Sequence, residues 1–596
     1  MIDLIAHNLA PIMFITVMAM LLLGYPVAFT LAAGGLIFFV LGVEFSAISP
    51  EIHLFWPLLQ SHPDRFFGGI MSNETLLAVP FFTFMGIILE RSRMAEDLLD
   101  TIGQLFGPVR GGVAYAVVLV GALLGATTGV VAASVMAMGL ISLPVMLRYN
   151  YDRSFATGTI AASGTLAQIV PPSLVLIVMA DQLGRSVGDM YIGALYPSLL
   201  VIAAYCAYVF IMTLIRPKAA PAMPPEARTL GNGVTSLIAM FAVAVGLYFL
   251  GYHVLFTGFD DAWRLVAALC FGVLLVYLFA IANDRMNLNI LSRLSQQVII
   301  VLVPPLALIF LVLGTIFLGI ATPTEGGAMG ATGALALALA KGRLDMATLK
   351  KALDSTTKLS AFVMMILMGA RVFSLTFYGI NGNVWIEELL TSLPGGEYGF
   401  LIVVTIIIFI LGCFLDFFEI AFIMVPLLVM PAEALGIDLI WFGIILGLNL
   451  QTSFLTPPFG FSLFYLRSVT PGGDWVDKAT GATMRGVRTL DIYKGIIPFI
   501  AIQFAVILAV IFFPKLVTHY KDEIVRVDPA SVTIEMPSLG GEGQSDDPFG
   551  LDGGFGGTGG DDPFALPSFD EPSGSGDNSD GNDGLDLGNP PSLNFD

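Results

Sequence analysis

"SGTLAQIVPPS" (163–173) and "NLQTSFLTPPFG" (449–460) each place a proline pair inside a long apolar run. A double proline removes two backbone donors and leaves the carbonyls upstream without helical partners. One such break is an ordinary kink, but two in matching surroundings are a repeat. "DMYIGALYP" (189–197) follows the first and "DIYKGIIP" (491–498) the second. Upstream, Gly125 precedes Pro144 by 19 residues and Gly412 precedes Pro431 by 19; Gly125 lies 46 residues before Pro171 and Gly412 lies 45 before Pro457. A fainter match joins "LLLGYPVAFTLAAGG" (21–35) to "IFLGIATPTEGGAMG" (316–330).

The runs that hold these motifs are membrane-grade. The chain is 56% hydrophobic and 12% charged, with mean hydropathy +0.84, where a soluble domain is about a quarter charged. Many segments reach the ~20 apolar residues that span a bilayer as a helix. An all-α polytopic membrane protein follows. "MIDLIAHNLAPIMF" has no basic n-region, so the start does not read as a cleaved signal peptide. Cys206, Cys270 and Cys413 all lie in apolar runs, with neither disulfide nor metal spacing. The histidines lie at run edges, in loops or beyond the last span, which argues against a haem, di-iron or zinc site. With no "HExxH" and no P-loop, an enzyme is not expected. Neither a nucleic-acid partner nor a cofactor is expected.

Basic residues orient the chain. Arg91/Arg93/Arg110, Arg216/Lys218/Arg228, Arg285/Arg293, Lys341 to Lys358 and Lys478 to Lys494 mark inside loops, and "NGNVWIEELLTSLPGGEYG" (381–399), with three Glu and no Lys or Arg, marks an outside one. Counting crossings between these loops fails twice, once in each half, so one segment per half turns back. The proline-bearing segments 155–183 and 437–469 are the expected re-entrant hairpins. The overlong runs 113–147 and 399–431 are the expected broken helices. The charge map runs the first repeat from outside to inside and the second from inside to outside, the inverted topology of many secondary transporters. The expected division is a first repeat at 1–213, an insert with two extra spans at 214–296, a second repeat at 297–513 and an acidic tail at 514–596. The tail's 17 acidic and 3 basic residues carry −14 of the net −19. Its Gly/Asp/Ser/Pro text cannot bury a core. "DDPFGL" and "DDPFAL" recur in it, as a partner motif or, the blander reading, as part of a solvated acidic run. The N-terminus and the tail are expected in the periplasm.

Three constellations carry candidate chemistry. At the proline motifs, freed carbonyls beside Ser163, Gly164, Thr165, Pro171, Pro172 and Ser173, and beside Asn449, Thr452, Ser453, Thr456, Pro457 and Pro458, can cage a hard cation such as Na⁺. Half-helix N-termini at the same breaks favour an anionic substrate. In the overlong runs, "GATTGVVAAS" (125–134) offers Thr127, Thr128 and Ser134, and "GCFLDFFEIAF" (412–422) offers Asp416 and Glu419. A carboxylate at mid-membrane costs ~2.5–3.5 kcal/mol by insertion scales and is normally paired or faces a polar path. The third is the polar break Thr322, Thr324, Glu325, followed by a glycine face at 326–333. The plain reading there is a helix start, with Thr322 as cap and Pro323 in the first turn. Arg371, alone in an apolar run, pairs with Glu325 or Asp416, binds a substrate carboxylate, or snorkels to an interface. Ser173, Arg371 and Asp416 are the candidate substrate contacts.

"ATPTEGGAMGA" (321–331), "IVPPS" with "YIGALYP", and "NLQTSFLTPPFGFSLF" (449–464) after "GCFLD" resemble, in this order, the large permease subunit of tripartite ATP-independent periplasmic (TRAP) transporters of C4-dicarboxylate type. The resemblance covers about 8–213 and 297–513. It implies an elevator-type carrier in a bacterial inner membrane, driven by Na⁺, that takes up a small organic acid anion delivered by a periplasmic binding protein. It also implies a small four-span permease subunit, expected here as a separate chain because the insert has only two spans. A standalone carboxylate transporter and an anion channel are the alternatives.

Overall fold

The computed structural model describes residues 2–231, 233–477 and 480–521; the DDPF repeats and most of the acidic tail lie outside the described residues. Among the described residues the secondary structure is helical apart from Trp475–Val476, which pairs antiparallel with Thr483–Met484. Among the described residues nine helices are long and apolar enough to cross a membrane. The first nine principal helices are α1 (Leu9–Leu22), α2 (Val27–Phe45), α3 (Ala78–Arg91), α4 (Met94–Phe106), α5 (Gly112–Thr128), α6 (Val131–Arg148), α7 (Arg153–Thr165), α8 (Leu174–Gln182) and α9 (Val187–Ile215). Two more, α10 (Val234–Leu250) and α11 (Asp261–Arg285), precede α12 (Arg293–Phe317), α13 (Pro323–Ala340), α14 (Met346–Gly379), α15 (Gly382–Thr391), α16 (Gly396–Leu411), α17 (Phe417–Ala434), α18 (Leu439–Leu455), α19 (Phe461–Val469) and α20 (Thr489–Phe512).

Helices α12 to α20 repeat the order of α1 to α9, and the packing is reciprocal. α2 packs on α14 and α3 on α13; α8 packs on α17 and α19 on α6; α7 packs on α20 and α18 on α9. These pairings group α1–α3 with α12–α14 and α5–α9 with α16–α20, and the two sets also pack directly on each other, α3 on α5 and α14 on α17. The amphipathic α4 and the short α15, which meets α16 at 117°, connect them. α10 and α11 pack on α12 through Met240, Val276, Ala280 and Ile299, and leave Phe241, Phe249, Leu274 and Leu278 exposed.

Two re-entrant hairpins and two broken helices are present, but their places are exchanged relative to the sequence reading. At the two ends of the 112–148 segment, Gly111 N–H donates to Ala220 O and Asp152 N–H to Ala219 O, both at 3.0 Å, so both ends rest on one loop. α5 and α6 pack on each other. Each is about 25 Å long at ~1.5 Å per residue, so the segment descends and returns. Its turn is Gly129, at φ 59°, a left-handed conformation that glycine adopts without a Cβ clash. In the second repeat, Asn383 of α15, which leads into α16, reaches Met430 Sδ near the α17 end (3.6 Å), and Tyr398 stacks with Phe512. Asp438, just past α17, pairs with Lys521, which follows α20. Both ends of the 396–434 segment therefore share one face.

The proline-bearing segments cross instead. α7 starts beside Ala219 and α8 ends beside Asn73, on the face opposite the basic loops. α18 starts beside Lys521, and past α19 Arg467 donates to Val487 O (2.9 Å) at the other face. Parity requires one turning segment per half but does not say which. Prolines interrupt a helix, whereas reversal needs two arms that pack on each other, which is a tertiary fact.

The opening of α13 follows the plain reading. Thr322 N–H donates to Glu325 Oε2 (2.8 Å) and Glu325 N–H to Thr322 Oγ1 (3.3 Å), a complete capping box with Pro323 in the first turn. The glycine face is not free to slide. Gly327 abuts Phe82 and Gly330 abuts Met85 of α3, while Gly326 abuts Ile316 of α12.

Candidate functional site

In each repeat the hairpin tip sits against the break in the neighbouring crossing helix. In the first, Gly121 faces the Ser163 carbonyl, Gly125 faces Ala167 N (2.8 Å from an added Cβ) and Gly164 faces Val135 Cα (2.9 Å likewise). Both arms thus grip residues 163–167. α7 ends at Thr165, a 3₁₀ turn covers Leu166–Gln168, and the chain is non-helical to Ser173. Ser173 Oγ donates to Gln168 O (2.8 Å) and Tyr191 Oη to Ser173 O (3.4 Å), which fixes the break from both sides. Asp152 caps α7 by accepting from Phe155 N–H (3.0 Å).

The second junction repeats the plan. Gly412 lies against Ser453, Cys413 Sγ is 4.0 Å from Ser453 O, and the Phe414 and Phe459 rings meet at a tilt with centroids 4.9 Å apart. α18 ends at Leu455, and the chain is non-helical to Gly460. Ser462 Oγ donates to Phe454 O (2.7 Å) and Tyr493 Oη to Pro458 O (3.4 Å). Asp438 caps α18 by accepting from the N–H groups of Ile440 and Trp441. Asp152 and Asp438, Ser163 and Asn449, Ala167 and Ser453, and Pro171 and Pro457 each differ by 286 in number, so one spacing relates the two broken helices from cap to proline pair. Both Pro–Pro bonds are cis. The junctions also touch, with Gly447 of α18 facing Ile169 and Leu176.

The hydroxyls are satisfied locally. Ser163 Oγ donates to Thr159 O (2.6 Å), Thr127 to Leu124 O, Thr452 to Leu448 O and Thr456 to Thr452 O. Their lone pairs remain available, since a hydroxyl has two. The amides are different. Gln168 and Gln451 are 0% exposed, and neither Nε2 nor Oε1 of either has a partner. Asn449, also 0% exposed, donates to Thr405 O (2.8 Å) while its Oδ1 has no partner. An unpartnered buried polar group costs about 1–3 kcal/mol, and these three amides lie at the two breaks. Sequence reasoning did not single out Gln168 or Gln451. Their signal was their position, three and six residues before the proline pairs inside the quoted motifs.

Of the residues singled out, Thr127, Ser134, Ser163, Gly164, Pro171, Pro172 and Ser173 gather at the first junction, and Asp416, Asn449, Thr452, Thr456, Pro457 and Pro458 at the second. The Thr128 side chain lies outside the described residues. Asp416 is the N-cap residue of α17, and Glu419 Oε2 accepts from its N–H (2.9 Å), so Glu419 serves a helix start. Arg371 does not join them. It lies on α14, half-buried, with no partner for Nε, and neither expected pairing, with Glu325 or with Asp416, is made. Thr322 and Glu325 cap α13, and Thr324 Oγ1 donates to Glu74 O, so this break serves the loop before α3. Among the described residues no three His, Cys, Asp or Glu side chains group as metal ligands.

Residues 14–516 match the family described as tripartite ATP-independent periplasmic transporter, DctM component. The chain belongs to this family. A DctM component is a transport protein, not an enzyme. It is the large multi-pass permease of a bacterial uptake system completed by a small membrane subunit and a periplasmic solute-binding protein. The C4-dicarboxylate TRAP transporter large permease protein DctM of Pseudomonas aeruginosa is 30% identical over 403 residues, covering 67% of this chain and 78% of that one. The protein of the same description from Vibrio cholerae is 25% identical over 84% of this chain and 95% of that one. The ectoine/5-hydroxyectoine large permease UehC of Ruegeria pomeroyi is 24% identical over 86% and 99%. Relatives of similar identity thus carry different substrate descriptions.

Proposed function

We propose that the chain imports a small organic acid anion in symport with Na⁺, moving α5–α9 and α16–α20 as an elevator against α1–α3 and α12–α14. In this reading the basic loops are cytoplasmic, and 1–213 and 297–513 are inverted repeats separated by the 214–296 insert. The small subunit is a separate four-span chain. The observation that carries the reading is the trio of buried, unpartnered amide oxygens of Gln168, Asn449 and Gln451 at two breaks related by one spacing. Neutral carbonyl, hydroxyl and amide oxygens suit a hard monovalent cation. Binding it would order both junctions and direct the first N–H groups of α8 and α19, the positive ends of those half-helices, at a substrate carboxylate. The described substrates of the P. aeruginosa and R. pomeroyi relatives, a C4-dicarboxylate and ectoine, share a carboxylate, which is the group this geometry would hold.

The reading can be tested without knowing the substrate. The purified protein should melt about a degree higher in NaCl than in KCl of equal ionic strength, because an ion at tenfold its Kd adds about 1.4 kcal/mol to the folded state. Asn449→Ala and Ser163→Ala should each remove most of that difference. An unchanged Na⁺ response in both variants would sink the assignment of these residues.

A further inference from the structure

The polar break that opens α13 leads to a contact that the two ion junctions do not use. Thr324 Oγ1 donates to the carbonyl of Glu74, tying the loop before α3 to the start of α13, and both belong to the first helix set. One residue earlier in that loop, Asn73 Nδ2 donates to Asp181 Oδ1 at 2.7 Å. Asp181 lies in the last turn of α8, in the second set. The amide is held in one orientation, because Asn73 Oδ1 accepts from the N–H groups of Thr75 (3.0 Å) and Leu76 (3.3 Å). The carboxylate is held as well, since its other oxygen accepts from Gln182 Nε2 (2.7 Å). Apart from bonds made by the connecting helices α4 and α15, this is the side-chain hydrogen bond that joins the two sets among the described residues. The other side-chain bonds between distant elements stay within a set, as Arg148–Asp477 and Arg185–Glu433 do, or involve the 214–296 segment or the residues after α20.

We infer that Asn73–Asp181 is a releasable latch that holds the second set in the position seen here and must open when that set moves. The inference rests on the moving-set reading above. A single charge-assisted bond suits the task. It is strong enough to bias an equilibrium about tenfold. Its loss on each cycle is tolerable because both partners lie near the loop ends, where water can replace them. Thr324 keeps the loop on the stationary side, so that movement opens the Asn73–Asp181 bond rather than dragging the loop along.

The test uses the full chain in nanodiscs, with Cys206, Cys270 and Cys413 replaced by alanine and spin labels at the exposed positions Glu51 and Ala434. Electron–electron distances would be recorded in NaCl and in KCl. Asn73→Ala and Asp181→Ala should each raise the minor distance population relative to the parent by about tenfold in ratio. The reciprocal pair Asn73→Asp with Asp181→Asn rebuilds the bond with its polarity reversed and should return the distribution toward the parent. If the parent exchanges between two distances and all three variants match it, the latch is overturned while the moving-set reading stands. If every protein shows one distance in both salts, the moving-set reading fails and the latch with it.

Discussion

Gly158→Val and Gly495→Val are each expected to leave no monodisperse protein in detergent, whereas Gly246→Val should purify as the parent does. α7 and α20 cross at the first two glycines. A Cβ on Gly158 would stand 2.9 Å from Gly495 Cα and closer still to the Gly495 carbonyl; one on Gly495 would stand 2.9 Å from Gly158 N and closer to the Ser154 carbonyl. Overpacking against side chains typically costs ~1–3 kcal/mol, because rotamers can shift. Here the atoms met are helix backbone, so the helices themselves must separate. That crossing also holds the first break in place. α7 ends at Thr165, seven residues and about two helical turns beyond Gly158. Displacing α7 at the crossing therefore displaces the Gln168 turn as well. Gly246 lies on α10 with nothing within 4 Å of an added Cβ. Size-exclusion profiles of the fluorescently tagged variants decide the matter. A normal profile for both crossing variants would mean that α7 and α20 do not approach as described.

The second large effect concerns the buried amides. Gln168→Met and Gln451→Met remove polar atoms that have no partner in the protein, and they nearly conserve volume. Replacing an unsatisfied buried polar group by an apolar one of similar shape is close to neutral or stabilising. Melting temperatures in KCl should therefore hold or rise. Transport should instead fall by more than about tenfold, because the lost oxygens are those proposed to meet the ion or its substrate. Gains in stability at the expense of function are a common pattern at binding sites. The assay is uptake by proteoliposomes that contain both membrane subunits and are supplied with the cognate binding protein and its ligand. Unimpaired uptake in both variants would remove the amides from the site.

Much of the architecture was legible in the sequence. Apolar run lengths show a helical membrane protein, and two proline motifs with shared flanks show a repeat. The clusters of Lys and Arg at the loops are what the proposed inversion is read from. The Thr322–Glu325 capping box was readable as a local pattern, because a cap involves only four consecutive residues. The turning segments were not readable. Parity leaves two candidates per half, and the choice depends on α5 packing against α6 and on both ends meeting the 216–223 loop. The site was legible in part. Hydroxyl residues near the prolines drew attention, yet in the folded chain Ser163, Thr452 and Thr456 bond to their own helices. Gln168 and Gln451 stand out only once burial and the lack of a partner are known. Arg371 looked like a counter-ion for Glu325 or Asp416, but separation in space is not visible in a one-dimensional pattern.

The most direct measurement is uptake of the binding protein's ligand into proteoliposomes under imposed ion gradients. The account predicts accumulation with an inward Na⁺ gradient, little with an inward K⁺ gradient of the same size, and loss of the difference in Asn449→Ala. Equal uptake in Na⁺ and K⁺ by the unmodified protein would contradict it.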